Sequence, residues 1–304
     1  MFGLHFSRLG SVSRLGLVPK ALAILRSYGA DAHIYLPGVG TVNGITAGNY
    51  LDSAGTTAAT VDNPVGLSLD ALQAMTLGGE LVTNGIFDTN ITGWVDNGGG
   101  TPSWVTGAIQ RVSTTGGGSY QDVTVTSNTS YVVSVGEISK VSGTGAVVWA
   151  VYDGAAFTTS LTGTVSGVQS MVVKPSTSVL RFYLYNDGSS VGRWDNVSIK
   201  QIPGIHASQA TTANKCLLRL TGGKYNWVFD TTDLLTATFP AGNESVTVID
   251  SFSTGQVTNT GVNVVGAYSM GPSVTLYGRM IIKGSISASD LLVLQRFANS
   301  WAGL

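Results

Sequence analysis

Residues 180–185, Leu-Arg-Phe-Tyr-Leu-Tyr, alternate between apolar side chains and side chains that carry a polar group. This period of two predicts a β-strand with one buried face and one solvated face. Tyr131, Val133 and Val135 repeat the pattern, and residues 146–152 and 171–173 are further β-branched or aromatic runs. Gly, Asn, Asp and Ser separate these runs at intervals typical of a sandwich. Residues 79–201 are therefore predicted to be β throughout.

The composition excludes several classes of protein. The chain has 304 residues, 40 of them glycine, with 11% charged side chains and a net charge of −1. So little charge argues against charge-driven disorder and against a basic nucleic-acid surface, and the length suggests about two domains. The single cysteine, Cys216, cannot form an intrachain disulfide or a cysteine-based metal site, so we expect a small buried apolar residue. No apolar window is long enough to predict a membrane-spanning helix.

Charge is concentrated at the N-terminus. Residues 1–30 contain Arg8, Arg14, Lys20 and Arg26 and no acid, whereas residues 31–78 contain four acids and no base. A short helix is predicted from Pro19 to Tyr28 within an otherwise extended arm. Nucleic acid, a membrane surface or a protein could attract such an arm. Four cations are too few for strong phosphate binding, so we favour docking onto a protein partner.

The last 100 residues combine strands with a terminal helix. Residues 246–249, 262–267 and 273–282 are strand candidates. Ser287 and Asp290 form a capping-box pattern. Leu291, Leu294, Ala298 and Trp301 then recur at helical spacing and Gly303 follows, which predicts an amphipathic helix packed on a sheet.

Two sets of motifs resemble known families. The first set is Asn84-Gly85-Ile86-Phe87-Asp88, Gly93-Trp94, residues 116–121, residues 130–134, and Arg193 to Ile199 with its Asp-Asn-Val-Ser-Ile ending. In this order the motifs resemble the carbohydrate-binding-module jelly rolls of the galactose-binding-like superfamily. The resemblance implies a jelly roll over residues 79–203. It also implies a structural calcium ion held by Asp88 and Asp195, although both carboxylates could simply cap turns.

The second set is split along the chain. Residues 52–57 and 64–70 resemble one half of a motif of tailed-phage virion proteins, and residues 206–213 resemble the other half. In that family the halves lead into a concanavalin-like (laminin-G-like) sandwich. The resemblance implies a discontinuous domain over residues 31–78 and 204–304, with the jelly roll inserted between them. Residues 229–233 depart from the family pattern, which suggests a reduced sandwich.

The residues offer few catalytic signals. The three glutamates, Glu80, Glu137 and Glu244, are scattered, and no nucleophile elbow or phosphate-binding glycine loop is present. No catalytic residue is therefore predicted. Glycan binding would require exposed aromatic side chains, and the candidates on the predicted jelly roll are Trp104, Tyr120, Gln121 and Tyr183, with Tyr152 and Tyr185 as further aromatics and Trp94 expected in the core.

Together these features predict a mainly β, non-enzymatic structural protein of a tailed-phage virion. It is expected to be attached to capsid or tail proteins by its arm, to form homo-oligomers by analogy with projecting trimers, and to aid adsorption to host glycans. Head decoration, fibre and tail appendage fit almost equally. The competing hypothesis is a glycan-binding module of a secreted or cell-surface bacterial protein. Neither a nucleic acid nor a membrane is expected as a partner, and calcium is the one cofactor considered.

Overall fold

The computed structural model describes residues 16–38, 48–53, 55, 57–154, 156–162, 168–272 and 274–304. The described residues form two compact units: unit 1 lies within Met1–Thr76 and Pro203–Leu304, and unit 2 lies within Leu77–Ile202. The mainly β prediction is confirmed. Within the described residues no helix has the length and apolar character needed to cross a membrane.

The α-helices and strands of the described chain follow one another in this order: α1 (Leu17–Ser27), β1 (Ala32–Tyr35), β2 (Asn49–Tyr50), β3 (Leu67–Ser68), β4 (Val95–Asp96), β5 (Gly100–Trp104), β6 (Ile109–Ser113), β7 (Gly117–Thr124), β8 (Tyr131–Gly143), β9 (Ala146–Tyr152), β10 (Phe157–Thr162), β11 (Gln169–Val173), β12 (Val179–Asp187), β13 (Ser190–Gln201), β14 (Ala207–Ser208), β15 (Leu217–Thr221), β16 (Lys224–Val228), β17 (Leu235–Phe252), β18 (Gly255–Met270), β19 (Thr275–Leu276), β20 (Gly278–Lys283) and α2 (Ala288–Ala302).

Unit 2 is a sandwich of two antiparallel five-stranded sheets. The first has the strand order β10-β9-β12-β7-β4, and the second has the order β11-β8-β13-β6-β5. The alternation predicted for residues 180–185 is confirmed, because Leu180, Phe182 and Leu184 are fully buried in the core of this unit. Phe182 stacks on Trp149 with ring centroids 5.4 Å apart, and Trp94 is also buried, as predicted.

Unit 1 has three layers. A large sheet has the order β1-β20-β17-β14-β3-β2, with β18 paired to β17, and a small sheet has the order β15-β16-β19. One face of the large sheet, including Val248 and Ile281, shares a core with Trp227 of the small sheet. The other face, including Ile249 and Met280, packs against both helices. The second sandwich is therefore reduced on one side and covered by helices on the other.

Both predicted helices are present. Ser287 caps α2 by accepting a hydrogen bond from the Asp290 N–H, and Gly303 ends it in the left-handed conformation. Helix α1 packs in the same apolar cluster as α2 and buries Ala21 and Leu25, which lie four residues apart on one helical face. Part of the predicted N-terminal arm is thus a helix integrated into unit 1. Cys216 is buried in the unit 1 core, as predicted, and burial raises the pKa of its thiol.

Candidate glycan-binding face

A cluster of aromatic rings lies on the solvent-facing side of the first sheet of unit 2. Because side chains alternate along a strand, Arg181, Tyr183 and Tyr185 project away from the core residues of β12. We define the aromatic face as the outward side chains that surround these three: Tyr120, Asp122, Tyr152, Phe157, Arg181, Tyr183 and Tyr185.

Strand register assembles this face from four strands. Tyr183 of β12 lies opposite Tyr120 of β7, and Arg181 lies between Asp122 of β7 and Tyr152 of β9. Phe157 of β10 in turn lies opposite Tyr152. Positions 120, 152, 157 and 183 are therefore neighbours on the sheet despite their separation in the chain.

The rings form a continuous apolar surface. The ring centroids of Tyr120 and Tyr183 are 5.5 Å apart, those of Tyr183 and Phe157 are 5.3 Å apart, and those of Phe157 and Tyr152 are 4.9 Å apart. Adjacent rings are tilted by 43–52°. Phe157 is 59% exposed, although a side chain of this kind is normally buried. Phe157 therefore extends the row of rings into solvent. Contiguous exposed apolar groups of this kind commonly mark a binding site.

Arg181 is the polar centre of the face. Its guanidinium donates two hydrogen bonds to the Asp122 carboxylate, one of them 2.7 Å from Nη2 to Oδ2, and its Nη1 donates to the Tyr183 hydroxyl at 3.2 Å. The guanidinium carbon lies 4.2 Å from the centroid of the Tyr120 ring. The hydrogen bond to Asp122 raises the pKa of Arg181 further above its ordinary value. These contacts use three of the five guanidinium N–H donors and leave two for a ligand.

Small residues keep the rings accessible. Gly118 lies opposite Tyr185, and Ala150 lies opposite Tyr183. A Cβ atom at Gly118 would lie 3.2 Å from Cδ2 of Tyr185. The same Cβ atom would lie 3.0 Å from the Leu184 carbonyl oxygen, so a side chain at position 118 would require both neighbours to shift by a few tenths of an ångström.

The structure brings together only part of the predicted glycan site. Tyr120 and Tyr183 belong to the aromatic face. Gln121 does not, because it is only 6% exposed and its side-chain amide holds Thr83 and Gly93 through backbone hydrogen bonds. In the structure Gln121 has a structural role away from the aromatic face, and its assignment to a glycan site stays a prediction.

Trp104 lies apart from the aromatic face. It belongs to β5 of the second sheet of unit 2, and its indole N–H donates to the Phe87 carbonyl. Its 43% exposure agrees with the expectation of an exposed side chain, but the structure does not place it beside Tyr120 and Tyr183. Sequence reasoning missed Phe157, Arg181 and Asp122, which only the strand register identifies.

The predicted calcium ligands, Asp88 and Asp195, lie near a third carboxylate. Burial raises the pKa of Asp195, and the negative charges of Glu137 and Asp88 raise it further. The Asp195 carboxylate also accepts hydrogen bonds from the backbone and side chain of Asn196. Among the residues that the structure describes, no group of three or more His, Cys, Asp or Glu side chains is arranged to hold a metal ion. The calcium site stays a prediction.

Unit 1 contains a buried histidine–aspartate pair that the sequence did not reveal. His33 Nδ1 lies 2.6 Å from Asp70 Oδ2, and the backbone N–H of Asp70 donates to His206 Nδ1 at 3.1 Å. The other Asp70 oxygen accepts N–H groups from Ile34 and Leu72. These bonds connect β1 to the chain segments that leave and re-enter unit 1, which is a structural role.

The four predicted anchoring cations fall into two pairs. Lys20 and Arg26 are exposed on α1. Arg8 and Arg14 lie outside the described residues.

No protein-family model and no curated protein matches the sequence. Solved structures do match part of the chain. The CBM22-1 xylan-binding domain of Paenibacillus barcinonensis Xyn10C is 18% identical, with a TM-score of 0.33 over 42% of this chain and 97% of that domain. TmCBM61 in complex with β-1,4-galactotriose is 13% identical, with a TM-score of 0.32 over 41% of this chain and 99% of that one.

A phage protein also matches. The enzymatically active domain of bacteriophage CBA120 tailspike protein 4 is 13% identical, with a TM-score of 0.33 over 40% of this chain and 21% of the tailspike chain. Each of these three matches covers about two fifths of this chain.

Proposed function

We propose that the protein binds glycans through the aromatic face and does so without catalysing a reaction. The single observation that carries this proposal is the contiguous set of half-buried tyrosine rings around Arg181 that ends in Phe157, which is 59% exposed. The faces of a sugar ring are lined by C–H groups and pack well against aromatic rings, whereas its hydroxyls need hydrogen-bond donors and acceptors. The aromatic face supplies both, because rings surround one guanidinium–carboxylate pair.

Binding of oligosaccharides by the full chain tests this proposal. We expect Phe157→Ala and Tyr183→Ala each to weaken the affinity about fivefold to thirtyfold, as for the aromatic anchors of other interfaces, in calorimetric titrations against a panel of oligosaccharides. Trp104→Ala is the matched control, because it removes an exposed aromatic ring from the other sheet. Equal losses in all three variants, or none in the first two, would contradict the proposal.

We propose that the protein is part of a tailed-phage virion and that its N-terminal segment attaches it to the particle. The charge pattern supports this part of the proposal, because Arg8 and Arg14 precede a helix that exposes Lys20 and Arg26. Attachment to capsid or tail proteins, homo-oligomer formation and adsorption to a host glycan belong to the same proposal. A secreted or cell-surface bacterial protein would use the aromatic face in the same way.

The attachment can be tested by deletion. Removing residues 2–15 keeps α1, whose Ala21 and Leu25 are part of the unit 1 core, so the truncated protein should still fold. We expect it to lose incorporation into particles when it replaces the intact protein in an infected host. Incorporation at the normal level would overturn the proposed attachment.

A further inference from the structure

We propose that the aromatic face selects neutral over anionic glycans, and that Asp122 is the residue that sets this preference. The inference rests on the proposed function of the same face. It adds the chemical class of the ligand and assigns a specificity-determining residue.

The charge on the face is nearly balanced. By strand alternation and register, the charged outward positions of β4, β7, β9, β10 and β12 are Asp122, Arg181 and Asp187. Asp96 of β4 turns the other way and pairs with the buried Arg111 at 2.8 Å. Asp187 is six residues from Arg181 along β12, about 20 Å at the usual rise per residue, which exceeds the screening length at physiological salt. Within that screening length of Arg181, the charged outward strand positions are therefore Arg181 and Asp122. Asp153, which directly follows Tyr152, adds a further carboxylate beside the rings.

Asp122 neutralises the charge of Arg181 and also occupies one hydrogen-bonding edge of its guanidinium group. Its two oxygens occupy the Nε and Nη2 edge of the guanidinium, which is the edge that a ligand carboxylate would use for bidentate binding. An anionic sugar would have to approach Arg181 beside this carboxylate, and like charges at such a distance disfavour binding. A neutral sugar meets no such repulsion, and the two remaining N–H donors can bond to its hydroxyls.

Exchange of Asp122 for asparagine isolates the charge. The side chain is exposed and of nearly the same size, and the amide oxygen can still accept a hydrogen bond from Arg181. The variant would lose one negative charge beside Arg181 and should bind anionic ligands more tightly, in a salt-dependent way. Asp187→Asn is the matched control, because it makes the same charge change on the same strand six residues from Arg181.

The experiment titrates the full chain with neutral oligosaccharides and with the same oligosaccharides oxidised at C6 to uronic acids. The wild type should bind the neutral member of each pair about tenfold more tightly at low salt, and this preference should decrease at high salt. Asp122→Asn should bring the oxidised member to parity or better at low salt, and the gain should vanish at high salt. Asp187→Asn should keep the wild-type ratio.

The outcomes separate the two proposals. Preference of the wild type for the oxidised sugars, or an unchanged ratio in Asp122→Asn, would overturn the selectivity while leaving glycan binding intact. Binding of neither class by the wild type would overturn both proposals. Equal responses of Asp122→Asn and Asp187→Asn would show that net charge of the protein, rather than the Arg181 pair, sets the preference.

Discussion

Replacement of Leu25 by alanine tests whether the N-terminal helix is part of unit 1. Leu25 is fully buried and belongs to the apolar cluster that also contains Ile34 of the large sheet and Phe297 of α2. Truncation of such a leucine costs about 3–5 kcal/mol, from lost transfer free energy and from the cavity left behind. With a urea dependence of about 2–3 kcal/mol per molar, the unfolding midpoint of unit 1 should fall by about 1–2.5 M.

Hydrogen exchange followed by mass spectrometry in increasing urea is the suitable assay, because peptides from the two units report their unfolding separately. Leu292→Ala on α2 is the control, since that leucine is 48% exposed. We expect only a small change in the control and no change in unit 2 peptides for either variant. If Leu25→Ala behaves like Leu292→Ala, the helix does not contribute to the core and the reasoning is refuted.

Three further changes probe the units separately. Arg279→Met should destabilise unit 1 by about 3–5 kcal/mol in chemical denaturation, because it leaves the buried Asp250 carboxylate without its bidentate partner, and adding Asp250→Leu should recover much of the loss. Gly85→Ala should lower the stability of unit 2 by about 1–3 kcal/mol, since the new methyl would overlap the Val197 carbonyl oxygen, and an unchanged melting temperature would contradict this. The raised pKa of Asp195 favours the folded state below the ordinary pKa of aspartate, and this contribution is lost as the pH rises through the raised value. Asp195→Asn should therefore gain stability relative to the wild type as the pH rises from about 3 to neutrality, and calcium should raise the melting temperature of the wild type alone if the predicted site exists.

Local patterns in the sequence predicted the strands and helices whose formation depends on residues that are close together in the chain. Alternation identified the buried and solvated faces of β12, and the Ser287 cap with the spacing of Leu294, Ala298 and Trp301 identified α2. Helix α1 was also expected, but its docking was not. Burial of Leu25 depends on a partner helix more than 250 residues away, which no local pattern encodes.

The aromatic face was likewise predictable from the sequence only in part. Alternation places Tyr183 on the outward side of its strand, but only the register with β7, β9 and β10 brings it beside Tyr120 and Phe157. Alternation also explains why Gln121 lies off the aromatic face, because adjacent residues of a strand point to opposite faces. With Tyr120 outward, Gln121 had to point inward, where its amide binds the backbone of Thr83 and Gly93.

The central claim is that sugars bind on the aromatic face. A crystal structure of the full chain with the tightest-binding oligosaccharide of the panel is the most direct test. The account predicts a sugar ring packed on Phe157 and Tyr183, with a hydroxyl accepting a hydrogen bond from Arg181. A sugar bound at Trp104 or on unit 1, with the aromatic face bare, would contradict it.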